Sequence, residues 1–211
     1  MELLDKLQTN ARIAYSKIRS LNNEMHTLII ELAGNKLAVA EEASLVKNCL
    51  IENVAVNLNI YNDKQSAEPT WKMRKFAAQA AIHYIDKNKS IMSTDVSVPI
   101  SKLAACINAC YGHMHDYGIK APVVAHVGDG NFHFVILINP NNKNELENTR
   151  RFSGLIVSEA LKAGGTCTGE HGIGHGKKDY LLQEHSGSLE TMKQIKKLFD
   201  PCDIFNPGKI F

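Results

Sequence analysis

VVAHVGDGNFHFVIL, residues 123–137, is the stretch on which the reading of this chain turns. Two apolar arms flank Asp129-Gly130. An Asp-Gly pair between strand-like runs marks a β-hairpin, because a type I′ turn needs positive φ at both central residues. That turn sets Gly128 against Asn131, Val127 against Phe132 and His126 against His133. Directly opposed residues share one face of an antiparallel pair, with Cβ atoms about 4.5–5.5 Å apart, so the two imidazoles converge. Such a pair serves either as two ligands of a shared metal ion or as a stacked or hydrogen-bonded surface pair.

A second stretch, GGTCTGEHGIGHG at residues 164–176, holds six glycines in thirteen residues. That density permits unusual backbone conformations and close approach of a ligand. It is no nucleotide fingerprint, since GxGxxG and GxxxxGK[ST] are both absent. The glycines instead flank Glu170 and His171. Neighbours in an extended loop point in opposite directions, so one can turn to a metal and the other to a substrate. Two neutral imidazoles and one carboxylate suit zinc, manganese or iron, with positions left open for substrate. The alternative is a loop held by local hydrogen bonds. His26, His83, His113, His115 and His185 show no comparable pairing, and His175 is a minor candidate because it lies close to the loop.

At 211 residues the chain can bury a substantial core as one unit, and no proline- or serine-rich linker divides it. A formal charge of +2 from 24 basic and 22 acidic residues, with the signs interspersed, gives no electrostatic reason to expect nucleic acid or an anionic membrane. No apolar run approaches the roughly 20 residues of a transmembrane helix. The polar opening MELLDKLQTNARIAYSK resembles neither a signal peptide nor an acid-poor presequence, so no targeting segment is expected. Five scattered cysteines, Cys49, Cys106, Cys110, Cys167 and Cys202, argue against a disulfide framework and for a reducing compartment.

Periodicity predicts a polar helix over 1–24, a short strand over 27–32, and an amphipathic helix through Val39, Ala43, Val46 and Leu50. An alternating strand over 54–61 follows, then a long helix over 67–87 with Trp71, Ala78, Ala81 and Ile85 on one stripe. Beyond it come a strand over 93–98, a helix through Leu103, Ile107, Cys110, Met114 and Tyr117, and the hairpin. A helix over 145–162 capped by Gly164-Gly165, two short helices around 180–184 and 188–199, and an extended tail complete the chain. Helices interleaved with strands and one antiparallel hairpin predict an α+β fold, a mostly antiparallel sheet covered by helices. Arg74 falls in the core-facing stripe of the helix over 67–87 and needs a partner there. It either snorkels or pairs with a local carboxylate, or it aims its planar fork at a bound carboxylate.

HVGDGNFH (126–133), GTCTGEHGIG (165–174) and FDPCDIFNPGKIF (199–211), in that order, resemble the C-terminal substrate domain of FAD-linked oxidases of the vanillyl-alcohol-oxidase type. They resemble in particular the mitochondrial, cytochrome-linked D-lactate dehydrogenase kind. LLDKLQTNARIAYSK, WKMRKFAA and STDVSVPISKL extend the resemblance over essentially the whole chain, 1–211. It implies an antiparallel sheet built from ferredoxin-like halves that caps a flavin. It also implies that His126, His133 and Glu170 bind a divalent metal, zinc or manganese, that His171 is the base at the substrate hydroxyl, that Arg74 holds the substrate carboxylate, and that Asn206 lies near the flavin. The implied reaction is oxidation of D-lactate to pyruvate: the metal-chelated hydroxyl gives its proton to His171 and hydride passes to flavin N5, with an acceptor such as cytochrome c and a mitochondrial location. Because an FAD-binding domain is absent from these residues, the isolated chain is expected to be inactive, working with an FAD-binding domain or subunit. The alternative is a non-catalytic metal- or carboxylate-binding module left by truncation, and a cytoplasmic location stays open. The related D-2-hydroxyglutarate dehydrogenases have polar residues where this chain has Ala78, Ser93 and Val135, which implies a short monocarboxylic substrate.

Overall fold

A computed structural model describes residues 1–16 and 25–211. The hairpin forms: β5 (Val123–His126) runs antiparallel to β6 (Asn131–Ile138), and every residue of β6 is buried. Its turn is wider than the Asp-Gly pair predicts. Val127–Asp129 make one 3-10 turn and only Gly130 takes a left-handed conformation, φ 70°, so four residues connect the strands in place of two. The register moves by two, and His126 faces Asn131 while His133 faces Val124. An even shift preserves the side on which each residue points. The two histidines therefore stay on one face as diagonal neighbours and are not directly opposed.

Around the hairpin, β1 (Glu2–Leu4) pairs β5, and β2 (Thr27–Ile29) pairs β1. On the other side β3 (Ser90–Ser93) and β4 (Val96–Ser97) both pair β6. All pairings are antiparallel. The strand predicted over 93–98 is thus part of a longer, interrupted one, with Thr94 and Asp95 at the break.

The strand period of two sends alternate residues of β6 into two cores. Phe132, Phe134, Ile136 and Ile138 pack with Leu103 and Ile107 of α5 (Ile100–Asp116) and with Phe152 and Ile156 of α6 (Lys143–Lys162). Phe134 and Phe152 meet edge to face at 5.4 Å, an arrangement that adds about 1 kcal/mol to area burial. On the opposite face Val135 and Leu137 join Val124, Leu4, Ala77 and Ala81 beneath α1 (Lys6–Ser16) and α4 (Ala77–Ile85). Gln8 of α1 ties the two covering helices by donating to the Ala77 carbonyl at 2.9 Å. His133 has the parity of Val135 and Leu137, so it lies on this second face, beyond the apolar cover. The α+β architecture read from the sequence is the one observed, and the Gly164-Gly165 cap closes α6 as a Schellman motif, Gly165 N–H to Ala160 O and Gly164 N–H to Leu161 O.

Four local expectations differ. Residues 2–4 are a strand, because Asp5 caps α1 by accepting from Gln8 N–H at 2.7 Å and fixes the helix start behind it; the far end of the expected helix, 17–24, lies outside the described residues. The helix over 67–87 is two, α3 (Lys64–Lys75) and α4, broken at Phe76, which moves the buried stripe of α4 to Ala77, Ala80 and Ala81. Residues 54–61 are exposed and pair with no described strand, following α2 (Lys36–Glu52), which buries none of its residues. Alternation assigns side chains to two sides but does not supply a neighbouring edge. The tail turns back in place of running extended: Ile210 N–H reaches Gly174 O at 3.0 Å, after α7 (Lys178–His185) and α8 (Leu189–Phe199).

Gly130 is the tightest point of the turn, since a Cβ there collides with the Val98 carbonyl oxygen. Gly130→Ala, which combines that clash with a left-handed φ, is expected to lose roughly 2–3 kcal/mol of stability, measured as a lower urea midpoint with an unchanged m-value.

Candidate active site

Register builds the site. The β1–β5 pairing places Glu2 across from His126, and the hairpin brings the His126 and His133 rings to 5.5 Å, nearly perpendicular. Each ring has one nitrogen committed to a group that only accepts. His126 Nδ1 is 2.8 Å from Glu2 Oε1, and His133 Nδ1 is 2.8 Å from the Thr94 carbonyl, exposed by the break between β3 and β4. In the neutral imidazole the proton therefore sits on Nδ1 and Nε2 carries the lone pair; in His126 that lone pair also faces Arg74 Nη2 at 3.1 Å.

The Nε2 atoms point at one carboxylate. Glu170 Oε1 lies 3.0 Å from His133 Nε2, 3.6 Å from His126 Nε2 and 3.4 Å from His171 Nε2. The His171 ring stacks on His133 at 5.2 Å, with 15° between planes. His133 is buried, and its Nε2 has no hydrogen-bond partner. Burial pushes its pKa down, against opposing contributions from the Thr94 carbonyl, Asp95 and Glu170. A neutral lone pair 3.0 Å from a carboxylate oxygen is repulsive unless a cation lies between them, and two ligands about 2.1 Å from a metal at right angles stand about 3 Å apart. The ligand atoms of His126, His133 and Glu170 all lie within 4.8 Å of one another, so these three residues fit a divalent metal. Asp95, His133 and His171 form a second such group, but the Asp95 carboxylate is already engaged by hydrogen bonds.

That carboxylate holds the glycine-rich loop. Asp95 accepts from the backbone N–H of Gly169, Glu170 and His171, from Thr168 Oγ1, from Asn131 Nδ2 and from Lys177 Nζ. Burial alone raises its pKa; hydrogen bonds from His171 N–H, Asn131 and Thr168, with Lys177 nearby, outweigh burial and hold it well below the usual carboxylate range. Successive backbone N–H groups around an anion form a nest, and here the anion belongs to the protein. Gly169 lies so close that a Cβ would collide with Asn131 Nδ2.

The structure brings together His126, His133, Glu170, His171 and Arg74. Arg74, at the end of α3, contacts Glu2 Oε2 through Nε at 3.0 Å and approaches both His126 ring nitrogens through Nη2 at 3.1 Å. Asn206 is not with them; it sits in the tail, where its carbonyl accepts from Lys209 N–H. His175 is exposed beside Gly208 of the tail. Glu2, Thr94, Asp95 and Lys177 belong to the site but escaped the sequence reading. Only Asp95 left a signal there, as a carboxylate inside a strand-like run. The glycine-rich loop turns the N–H groups of Gly169, Glu170 and His171 onto Asp95, so these three are not available to an FAD pyrophosphate.

The family model for the C-terminal domain of FAD linked oxidases matches residues 1–210. A mitochondrial D-lactate dehydrogenase [cytochrome] of Arabidopsis thaliana is 36% identical over 100% of this chain and 37% of its own length. A probable mitochondrial D-lactate dehydrogenase of Danio rerio is 35% identical over 100% of the chain and 42% of that protein, and a glycolate oxidase subunit of Bacillus subtilis is 30% identical over 100% and 44%. The chain thus spans less than half the length of these relatives. Among solved structures, the 4-ethylphenol oxidase of Gulosibacter chungangensis superimposes with a TM-score of 0.63 over 99% of this chain and 47% of that one, at 11% identity, which shows the shared fold.

Asp95→Asn replaces an acceptor-only carboxylate by a group with a donor facing donors, and is expected to lose about 3 kcal/mol at pH 7. Because the folded-state pKa of Asp95 is depressed, its contribution is full above the unfolded value near 4 and fades as pH falls toward the folded value. Urea midpoints of the two proteins are therefore expected to differ most at neutral pH and to converge on acidification below about pH 4.

Proposed function

The chain belongs to the FAD-linked oxidases through their C-terminal domain, and from that premise we propose that it is the substrate- and metal-binding part of a flavin-dependent D-2-hydroxyacid dehydrogenase acting on D-lactate. The observation that carries the reading is the convergence of three imidazole Nε2 atoms on Glu170 Oε1. His126, His133 and Glu170 would hold a divalent cation, zinc or manganese. When bound, such a cation lowers the pKa of a coordinated hydroxyl.

The other residues divide the remaining work. Arg74, anchored by Glu2, would hold the substrate carboxylate. His171 is half exposed at the rim; its Nε2 would accept the hydroxyl proton and pass it to solvent, a general-base role worth about 10²–10⁴-fold in rate. Two carboxylates and one guanidinium leave one net negative charge in the cluster. A divalent cation makes that one net positive, which a single substrate carboxylate neutralises. A second, distal carboxylate finds little support: Val135 is packed in the apolar core, Ser93 donates to the Thr94 carbonyl and Ala78 carries no polar group. FAD would be bound by a separate FAD-binding unit, beside which Asn206 would lie. The names of the relatives favour a cytochrome-type electron acceptor and a mitochondrial setting.

Calorimetry tests the reading. The chain is expected to bind one Zn²⁺ or Mn²⁺, with affinity lost in His133→Ala and in Glu170→Gln. The metal-loaded chain is expected to bind D-lactate more tightly than D-2-hydroxyglutarate, and Arg74→Met to lose D-lactate but keep the metal. In turnover with the FAD-binding unit, His171→Asn is expected to lower kcat by about 10²–10⁴-fold with KM nearly unchanged. No metal binding, or tighter binding of D-2-hydroxyglutarate, would overturn it.

A further inference from the structure

We propose that Glu2 is a positioning residue that sets the metal ligand His126 and the carboxylate-holding Arg74 at the same time. The proposal rests on the metal-site reading given above and adds a residue that acts through both of its halves. Glu2 is mostly buried, with a side-chain exposure of 14%, and the β1–β5 register holds it across from His126. Its two oxygens take different partners. Oε1 stands 2.8 Å from His126 Nδ1, and Oε2 accepts from Arg74 Nε at 3.0 Å.

Each contact has a distinct consequence. A carboxylate accepting from Nδ1–H fixes the tautomer and orientation of an imidazole and raises the basicity of its other nitrogen. Free neutral histidine favours the opposite tautomer, with the proton on Nε2, which cannot bind a cation there. On the other side, a guanidinium next to a cation site is repelled by the cation, and Glu2 holds it in place through Nε, which leaves the end of the guanidinium directed to His126. One carboxylate therefore links the two groups that bind the two ends of a 2-hydroxy acid. Glutamine at this position has one acceptor and one donor end, so it can serve His126 or Arg74 but not both.

The experiment uses the whole 211-residue chain, wild type, Glu2→Leu, Glu2→Gln and Glu2→Asp, with folding checked by circular dichroism. Metal-free chain labelled with ¹⁵N at histidine reports the His126 tautomer by long-range ¹H–¹⁵N correlation. Zn²⁺ titration reports metal affinity, and D-lactate titration of the Zn²⁺-loaded chain reports the Arg74 side. The expected result is an Nδ1–H tautomer in the wild type, a shift toward Nε2–H in Glu2→Leu and a 10- to 100-fold weaker Zn²⁺ affinity. Glu2→Gln is expected to lose either the tautomer or D-lactate binding, and Glu2→Asp to recover part of both. The proposal is overturned if Glu2→Leu and Glu2→Gln keep the wild-type tautomer, Zn²⁺ affinity and D-lactate affinity. Failure of the wild type to bind Zn²⁺ would sink the metal reading itself, whereas the metal-free tautomer spectrum judges the Glu2–His126 contact independently.

Discussion

The buried carboxylate of Asp95 is the constraint on which the site depends. A loop with six glycines in thirteen residues loses more backbone entropy on ordering than a loop of ordinary composition, and it carries Glu170 and His171. Three consecutive N–H groups, one hydroxyl, one amide and one ammonium close on the Asp95 carboxylate and offset that entropy. Hydrogen bonds to a charged partner contribute roughly 1.5–3 kcal/mol each. Asp95 itself sits at the break between β3 and β4, and the same break turns the Thr94 carbonyl toward His133 Nδ1. One irregularity in an edge strand thus fixes the loop that brings Glu170 and the tautomer of the histidine that meets it.

The rest of the cluster follows from the two-sidedness of the sheet. β6 sends its aromatic residues to one core and Val135 and Leu137 to the other. His133 continues the second row past the point where α4 covers it, so an imidazole ends a line of apolar side chains. Its burial comes from the sheet, while its open side comes from the end of the helix layer. The helical segment breaks at Phe76: beyond it Ala77 and Ala81 of α4 pack on the strands, and before it Arg74, at the end of α3, pairs with Glu2.

Much of this was legible in the residues. Alternation and the Asp-Gly turn located the hairpin, and parity alone placed His126 and His133 on one face, which survived a register error of two residues because side-chain direction has that same period. The glycine run pointed to Glu170 and His171. What stayed hidden depends on long-range pairing. Glu2 reads as one more charge on a polar helix until β1 is laid beside β5, and Asp95 reads as a strand residue until the loop 74 to 76 positions away folds over it. The tail and residues 54–61 failed for the same reason, since local pattern does not say which edge or surface is available. The break at Phe76 has no proline or glycine to announce it.

Burial explains why three similar imidazoles can do different work. His133 is almost entirely enclosed, so desolvation keeps it neutral and its Nε2 lone pair available to a cation at physiological pH. His126 is intermediate in exposure, at 21% of its side chain, and relies on the Glu2 carboxylate to hold its proton on Nδ1. His171 is half exposed, with its backbone pinned by Asp95 and its ring lying on that of His133. A ligand must not exchange its lone pair for a proton, whereas a base must both take a proton and lose it to water. The enclosed ring of His133 lies between the other two, 5.5 Å from His126 and 5.2 Å from His171. In the roles proposed for them, ligand and base are thereby separated by solvent access, without any difference in side-chain chemistry.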